Sequence, residues 1–282
     1  YGEIYGYMDE IAIYNGVAKY NPVATGLGTA TITPSYLPDP TGNHFTTSGL
    51  AITDQMLDTP ENNFCTMNPL TAYNTYTFAE GNLKLSRATS TGQSTSLGTF
   101  SVNSGKWYWE VKLVSGQSSY PRIGIYDTDV VTNHLDTFPG NNNTGARVWG
   151  SAADGTTNKI FGDSNGEKAF TSYDDGDVLM FALDSDNAKF YLGKNGTWFE
   201  DATTSHTTAD INNGTAGAAF HQNNDDFGSG TNLTISPTQR WAPCIFANAD
   251  ADVWHANFGQ GDPDGENNFT DGNGRGGFRF EP

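Results

Sequence analysis

Apolar and polar residues alternate with a period of two along several short segments of the chain. Between Trp107 and Leu113 every second residue is large and apolar, and the positions between them include Glu110 and Lys112. Successive side chains of a β-strand point to opposite faces of the sheet. The segment therefore predicts a strand that turns one face to a core and turns Glu110 and Lys112 outward.

Other segments carry the same kind of signal. Residues 253–258 place Trp254, Ala256 and Phe258 on one face, and residues 178–183 are apolar throughout. A continuous apolar run of that length is typical of a central strand that is covered on both faces. Gly, Asn, Thr or Pro interrupts every apolar run with helical spacing, so we predict no helix of useful length.

Turn signals separate these strands. Residues 184–187 are Asp-Ser-Asp-Asn, and Asn195-Gly196 is a dipeptide typical of a two-residue hairpin turn. Many short strands with turns at roughly even spacing predict an all-β fold. We expect an antiparallel two-sheet β-sandwich of the jelly-roll type.

Composition narrows the function classes. The 282 residues include 14 Lys and Arg against 32 Asp and Glu, which gives a formal net charge of −18. A polyanion lacks the clustered cations that bind phosphate backbones, and anionic lipid surfaces repel it. The longest apolar run, residues 178–183, is far shorter than the ~20 residues of a membrane helix. We therefore expect no nucleic acid partner and no membrane insertion.

The chain has two cysteines, Cys65 and Cys244, which are too few for a disulfide scaffold. Free cysteines pack as small hydrophobic residues, so two buried thiols are the expectation. A single long-range disulfide between them is the alternative.

The sequence divides into three parts. Residues 1–20 have strand character, residues 21–70 form a connector rich in Pro, Thr, Gly and Asn, and residues 71–282 form the sandwich. The chain starts within a strand pattern and without a methionine, so we expect a processed chain or an excerpt of a longer polypeptide. An isolated apolar strand leaves backbone groups unpaired. We expect it to pair with an edge of the sandwich or with a neighbouring subunit, using the assembly residues Tyr7, Asp9, Ile11 and Ile13.

Five motifs in the predicted sandwich resemble the SPRY domain family. They are Gly105-Lys106-Trp107-Tyr108-Trp109-Glu110-Val111 with Arg122-Ile123-Gly124-Ile125, Gly176-Asp177-Val178-Leu179 with Leu183-Asp184, Phe190-Tyr191-Leu192-Gly193-Lys194-Asn195-Gly196, Trp241-Ala242-Pro243-Cys244-Ile245, and Asn257-Phe258-Gly259. They stand in the order that the family has. The resemblance implies a concanavalin A-like sandwich, and since these residues are structural it implies a fold rather than a function.

Two further segments resemble other proteins. Residues 6–15 with residues 17–20 are similar to the last strand of laminin G-like lectin domains. Residues 42–45, 58–60 and 62–70 are similar to a connector that joins such a domain to a SPRY domain. That order resembles large structural and fibre proteins of bacteriophages, so the resemblance implies a virion or extracellular location.

Catalytic motifs were sought and are missing from the sequence. There is no Gly-x-Ser-x-Gly nucleophile elbow, no His-Glu-x-x-His zinc motif and no phosphate-binding glycine loop. Sandwich glucanases use a Glu-x-Asp-x-x-Glu strand to place paired carboxylates, whereas here Glu110 is followed by Lys112. We therefore predict no catalytic residues and no enzymatic activity.

Calcium is the one cofactor for which the sequence offers candidate ligands. Alternate carboxylates in a loop supply oxygen ligands to a hard cation. The best place is the 262–266 run, with Asp262, Asp264 and Glu266 as ligands, although it lacks the glycine spacing of an EF-hand loop. A solvated acidic surface is the alternative interpretation.

A ligand-binding surface is expected on loops at one end of the sandwich, because a rigid scaffold positions loops. The resemblance to SPRY domains implies the same surface, here residues 115–122, 127–147, 195–206 and 221–230. The aromatic candidates for stacking on a sugar or anchoring a peptide are Tyr120, Trp149 and Trp198, with core packing as the alternative. Asp225 and Asp226 are the polar candidates, with a solvated loop as the alternative.

The expected function is a non-enzymatic structural and binding module of an extracellular or virion assembly, of the phage fibre or appendage type. It would join copies of itself or neighbouring structural subunits and present a loop surface to host glycans or proteins. A subunit of a secreted cellular filament or surface layer, joined by strand exchange, is the first alternative. A glycan-active hydrolase is the second alternative, and the missing carboxylate motif argues against it.

Overall fold

A computed structural model of the chain describes residues 63–72, 76–87, 93–116, 121–130, 145–151, 158–162, 167–222, 234–247, 251–262, 265–274 and 276–282. The predicted assembly strand, with Tyr7, Asp9, Ile11 and Ile13, and most of the predicted connector lie outside these residues.

The strands of the described residues are β1 (Thr77–Ala79), β2 (Lys84–Arg87), β3 (Ser94–Leu97), β4 (Lys106–Ser115), β5 (Arg122–Asp127), β6 (Ala146–Ser151), β7 (Asn158–Phe161), β8 (Glu167–Ala169), β9 (Val178–Asp184), β10 (Lys189–Lys194), β11 (Thr197–Phe199), β12 (Ser205–His206), β13 (Phe220–His221), β14 (Trp241–Ala247) and β15 (Asp252–Asn257).

These strands form two antiparallel sheets. The larger sheet has the order β1-β2-β15-β4-β9-β10-β11-β12, with β13 paired to β10, and the smaller sheet has the order β3-β14-β5-β6-β7-β8. Apolar residues of both inner faces fill the space between the sheets. The all-β, two-sheet sandwich predicted from the alternating pattern is confirmed.

Helical structure is minor in the part of the chain that the structure describes. It consists of a 3₁₀ turn (Pro69–Thr71) and a five-residue helix, α1 (Thr208–Asn212). Thr207 caps α1, since its side chain and that of Asp210 each accept a backbone N–H of the other residue. No described helix has the length and apolarity to cross a bilayer.

The central strand β9 is covered on both faces, as its continuous apolar run predicts. Leu179 and Phe181 lie in the main core, and Met180 lies in a second cluster on the outer face of the larger sheet. In the core, the rings of Trp109, Phe181 and Phe190 lie nearly parallel, with centroids 5.4 to 6.0 Å apart. The continuous run is therefore the sequence signature of two apolar layers that share one strand.

The Asn195-Gly196 turn joins β10 and β11 as a two-residue hairpin, as predicted. Both residues have positive φ, 50° and 85°, which a turn that matches the twist of the strands requires. The Asn195 side chain accepts the N–H of Val178 and donates to the carboxylate of Asp177. The turn residues thus also fix the entry to β9.

The alternation along β4 has a different outcome at its two ends. Trp109 and Leu113 are buried in the core, whereas Trp107 lies at the open end of the sandwich and is 40% exposed. Glu110 does point away from the core, but it is only 1% exposed because the C-terminal segment covers it. Glu110 therefore has the predicted outward direction, but it faces the C-terminal segment and not solvent.

Both thiols are free and buried. Burial raises the pKa of Cys65, and it raises the pKa of Cys244 much further. The structure therefore has the two buried thiols that were expected, and Cys65 and Cys244 form no disulfide in it.

Asp252 at the start of β15 is a buried carboxylate that predicts a pH dependence of stability. It accepts hydrogen bonds from the Tyr76 hydroxyl and the Trp254 indole. Burial raises the pKa of Asp252 to about 6, against these hydrogen bonds and the charge of Arg87. The folded protein therefore keeps this proton to a higher pH than the unfolded chain, so the Asp252 contribution to stability is complete below about pH 4 and is lost as the pH rises through 6.

We expect the substitution Asp252→Asn to remove this dependence. The free energy of unfolding of the native protein, measured relative to D252N, should fall by about 2 kcal/mol between pH 4 and pH 7. Urea denaturation across that range measures the difference. The exposed Asp129→Asn is the matched control, and a native-minus-D252N difference that does not change with pH would contradict the prediction.

Candidate functional site

A large groove opens at the end of the sandwich where β4 begins and β9 ends. Its volume is about 1070 Å³. Aromatic side chains line it more than any other type. They are Phe64, Phe100, Trp107, Tyr108, Trp109, Tyr191, Trp198, Trp241, Phe258 and Phe278, and we call the whole cavity the aromatic groove.

The outer part of the aromatic groove lies on the face of the larger sheet that points away from the core. Its floor is Tyr108, Ala182 and Tyr191, which are cross-strand neighbours on β4, β9 and β10. Residues of α1 line one side, and residues of the C-terminal segment 271–282 line another. The alternation of the three strands therefore brings two tyrosines side by side on a surface that is usually polar.

The inner part of the aromatic groove is the opening between the two sheets. Phe64, Phe100 and Phe258 are partly exposed there, and Trp107 is the most exposed ring of the groove. The Trp107 indole donates to the carbonyl of Ser104 at 2.7 Å. This hydrogen bond holds the indole in one orientation, so a ligand that stacks on it costs little rotamer freedom.

The carboxylate of Glu110 holds the C-terminal wall in place. Its Oε1 accepts from the Tyr108 hydroxyl and the Phe280 N–H, both at 2.8 Å. Its Oε2 accepts from the Arg279 N–H at 3.0 Å and from the Asn257 amide at 3.2 Å. Burial raises the pKa of Glu110, and these hydrogen bonds oppose the rise. Burial and the Glu110 charge keep the Tyr108 pKa well above its usual range, so this phenol stays neutral.

Ring contacts complete this wall. Phe278 packs edge-on against Tyr108 with a centroid distance of 5.0 Å, and Phe280 belongs to the outer apolar cluster with Met180. The C-terminal segment therefore forms part of the lining of the groove, together with the strands.

The charged side chains that line the aromatic groove, as far as the structure describes them, balance one another. Lys106 and Lys189 stand against Asp184 and Asp271. The Lys106 ammonium lies 3.7 Å from the Asp184 carboxylate, which also accepts from the backbone and side-chain amides of Asn187 at 3.0 and 2.8 Å. The remaining polar lining consists largely of neutral amides and a hydroxyl, from Asn63, Asn187, Asn212, Asn273 and Thr208.

The lining residues suit binding better than bond chemistry. None of the histidines that the structure describes lines the groove, and the Cys65 thiol beside it is buried, with a raised pKa that disfavours the thiolate. A general acid or base must lie within hydrogen-bond reach of a reacting proton, and Asp184 is already engaged by Lys106 and Asn187. Stacking and hydrogen bonding are the interactions that this set of side chains offers.

Two aromatic residues predicted for ligand stacking are core residues. Trp149 is 0% exposed, donates to the carbonyl of Thr171 and packs edge-on against Phe170 and Tyr173. Trp198 is 1% exposed, since it packs over Gly193 and donates to the Thr208 hydroxyl. Neither ring offers a face to a ligand, which corrects the stacking assignment for both. Trp198 acts instead as the support on which α1 packs.

The remaining ligand candidates, Tyr120, Asp225 and Asp226, lie outside the described residues.

The structure describes two of the three calcium candidates, Asp262 and Glu266. Arg279 approaches Asp262 to 3.8 Å and Glu266 to 3.1 Å, and Asp264 lies outside the described residues. Within the described part of the chain no three His, Cys, Asp or Glu side chains form a group that could hold a metal. Arg279 thus forms ion pairs with two of the three predicted ligands, and the calcium site stays a prediction.

The sequence interpretation missed Tyr108, Tyr191 and the exposure of Trp107. The sequence does contain one indication that Tyr108 is a site residue. Tyr108 shares the outward face of β4 with Lys106 and Lys112, and an aromatic residue on an otherwise charged face indicates a covered or ligand-binding position.

Comparison with known proteins finds solved structures of low similarity to this chain. The sequence matches no family profile and no curated protein. The SPRY domain of human HERC1 is 16% identical with a TM-score of 0.44, and the alignment covers 67% of this chain and 96% of that one. The PSpry domain of TRIM65 is 10% identical with a TM-score of 0.43, and the alignment covers 68% of this chain and 91% of that one.

Proposed function

We propose that this chain is a non-catalytic binding module whose ligand site is the aromatic groove. The observation that carries the proposal is the accessible lining of that groove, a cavity of about 1070 Å³. Among the described residues it combines neutral amides and charges of both signs with five partly exposed rings, those of Phe64, Phe100, Trp107, Tyr108 and Phe258. Ligand sites are concave, mostly apolar and provided with a few polar groups that orient the ligand. Stacking on held aromatic rings supplies affinity without any bond being made or broken.

The site differs from the loop surface expected from the sequence. Its rings come from strands and from the segments that flank them, which are more rigid than long loops. Trp107 is the ring on which binding should depend most, because it is the most exposed and is fixed by Ser104.

A screen with two variants tests the proposal. Native protein is screened against a glycan array and a random peptide display library, together with Trp107→Ala. Phe269→Ala is the matched control, since Phe269 is 41% exposed and does not line the groove. We expect a ligand whose affinity falls at least about tenfold in W107A and stays within about twofold in F269A. Ligands that respond equally to both substitutions, or no ligand at all, would refute the groove as the site.

We further propose that the module serves an extracellular or virion assembly of the phage fibre type, with copies of itself or neighbouring structural subunits as partners. The order of the lectin-like strand, the connector and the SPRY-like motifs in the sequence supports this. Electron micrographs of the native material should show regular polymers or virion-attached fibres. Dispersed monomers would contradict the assembly role and leave the binding role standing.

A further inference from the structure

We infer that the ligand of the aromatic groove is a neutral oligosaccharide. The inference rests on the proposed function, because it names the ligand class of the same site. Three features of the lining carry it: the rings, the amides and the balance of charge.

The partly exposed rings suit the apolar faces of sugars. Phe64, Phe100, Trp107 and Phe258 lie at the opening between the two sheets, and Tyr108 lies on the outer face of the larger sheet. The face of an aromatic ring carries negative charge density, and the carbon-bound hydrogens of a sugar ring are slightly positive. A sugar therefore packs its C–H face on such a ring and leaves its hydroxyls free for polar contacts.

The polar lining suits hydroxyl groups. Asn63, Asn212 and Asn273 are exposed at the groove, and each amide both donates and accepts hydrogen bonds. A hydroxyl also does both, whereas a phosphate, sulfate or carboxylate only accepts when ionised. A lining of amides therefore matches a polyol better than an anion.

The charges argue against an anionic ligand. Among the described residues two lysines and two aspartates line the groove and offset one another, and the chain as a whole carries −18. Approach of a sulfated or carboxylated glycan is opposed by this net charge. An uncharged ligand meets no such barrier.

The floor of the groove argues against a peptide strand. Its middle strand, β9, is paired with β4 and with β10 on its two sides from Leu179 to Asp184. A peptide that binds by strand addition needs a free sheet edge, and this floor presents side chains instead. The volume of about 1070 Å³ lies at the upper limit of the ~300–1,000 Å³ typical of small-ligand sites, which favours several sugar units over one.

Calorimetric titration with pure ligands tests the inference. The neutral probes are cellohexaose, laminarihexaose, mannohexaose and chitohexaose, and the anionic probe is a heparin hexasaccharide. We expect at least one neutral hexamer to bind, with its affinity at least about tenfold weaker in W107A and within about twofold of native in F269A. Its affinity should change less than about twofold between 50 and 500 mM NaCl, because no ion pair forms.

The outcomes separate this inference from the proposed function. If the only ligands that depend on Trp107 are the heparin hexasaccharide or peptides from the library, the neutral ligand class is wrong and the groove remains the binding site. If no ligand of any class depends on Trp107, both proposals fail. Circular dichroism and thermal unfolding of W107A establish that a lost affinity does not come from a lost fold.

Discussion

Replacing Gly124 by alanine is expected to lower the free energy of unfolding by at least about 3 kcal/mol. Gly124 lies in the middle of β5, opposite Val148 of β6. A Cβ atom at this position would lie 2.1 Å from the carbonyl oxygen of Arg147 and 2.9 Å from the Cα of Val148. Both are backbone atoms of a paired strand, so the clash is relieved only by separating β5 from β6.

Gly272→Ala is the control for this experiment. No atom lies within 4 Å of a Cβ at Gly272, and its backbone needs no positive φ. We expect its stability to stay within about 0.5 kcal/mol of native in urea denaturation. Equal stability of G124A and G272A would show that the close approach of β5 and β6 is not a constraint on the fold.

Replacing Glu110 by alanine is expected to cost about 3 kcal/mol and to release the C-terminal wall of the groove. The substitution removes the acceptor of four donors, two of which are the backbone N–H groups of Arg279 and Phe280. The Asn257 amide loses one of its two acceptors and keeps the carbonyl of Gly277. Glu110→Gln keeps one acceptor oxygen and should lose less than E110A does.

Hydrogen exchange distinguishes local release from global unfolding in these variants. In E110A the amides of residues 277–281 should exchange faster than in the native protein while those of β9 keep the native rate, since the wall detaches before the core opens. Glu281→Ala, on the exposed side chain next to Phe280, is the matched control and should leave exchange unchanged. Uniform acceleration across the chain would indicate that Glu110 supports the whole sandwich rather than this wall.

The strands and the turn at Asn195 were predictable from the sequence because their causes are local. Alternation sets which face a side chain occupies, and the Asn-Gly pair accepts the positive φ of a hairpin turn. The continuous apolar run of β9 indicated cover on both faces, and the structure has it. Each of these signals lies within a few residues of the structure that it predicts.

The candidate site was less predictable, because it depends on what covers each face. Trp149 and Trp198 stand beside loops in the sequence, yet neighbours distant along the chain bury them, such as Phe170 over Trp149 and Thr208 beside Trp198. Trp107 has the spacing of a core residue and is exposed, because β4 extends to the open end of the sandwich. A period of two gives no information about where the opposite sheet ends.

The sequence by itself determined the fold class, the strands β4, β9 and β15, the hairpin turn at Asn195, and the inward or outward direction of side chains along β4 and β15. Those properties follow from backbone geometry and local alternation. Tertiary structure decided that Glu110 is buried under the C-terminal segment and that Tyr108 and Tyr191 form one floor. These contacts join residues up to 170 positions apart, and only the packing of the two sheets, α1 and the C-terminal segment brings them together.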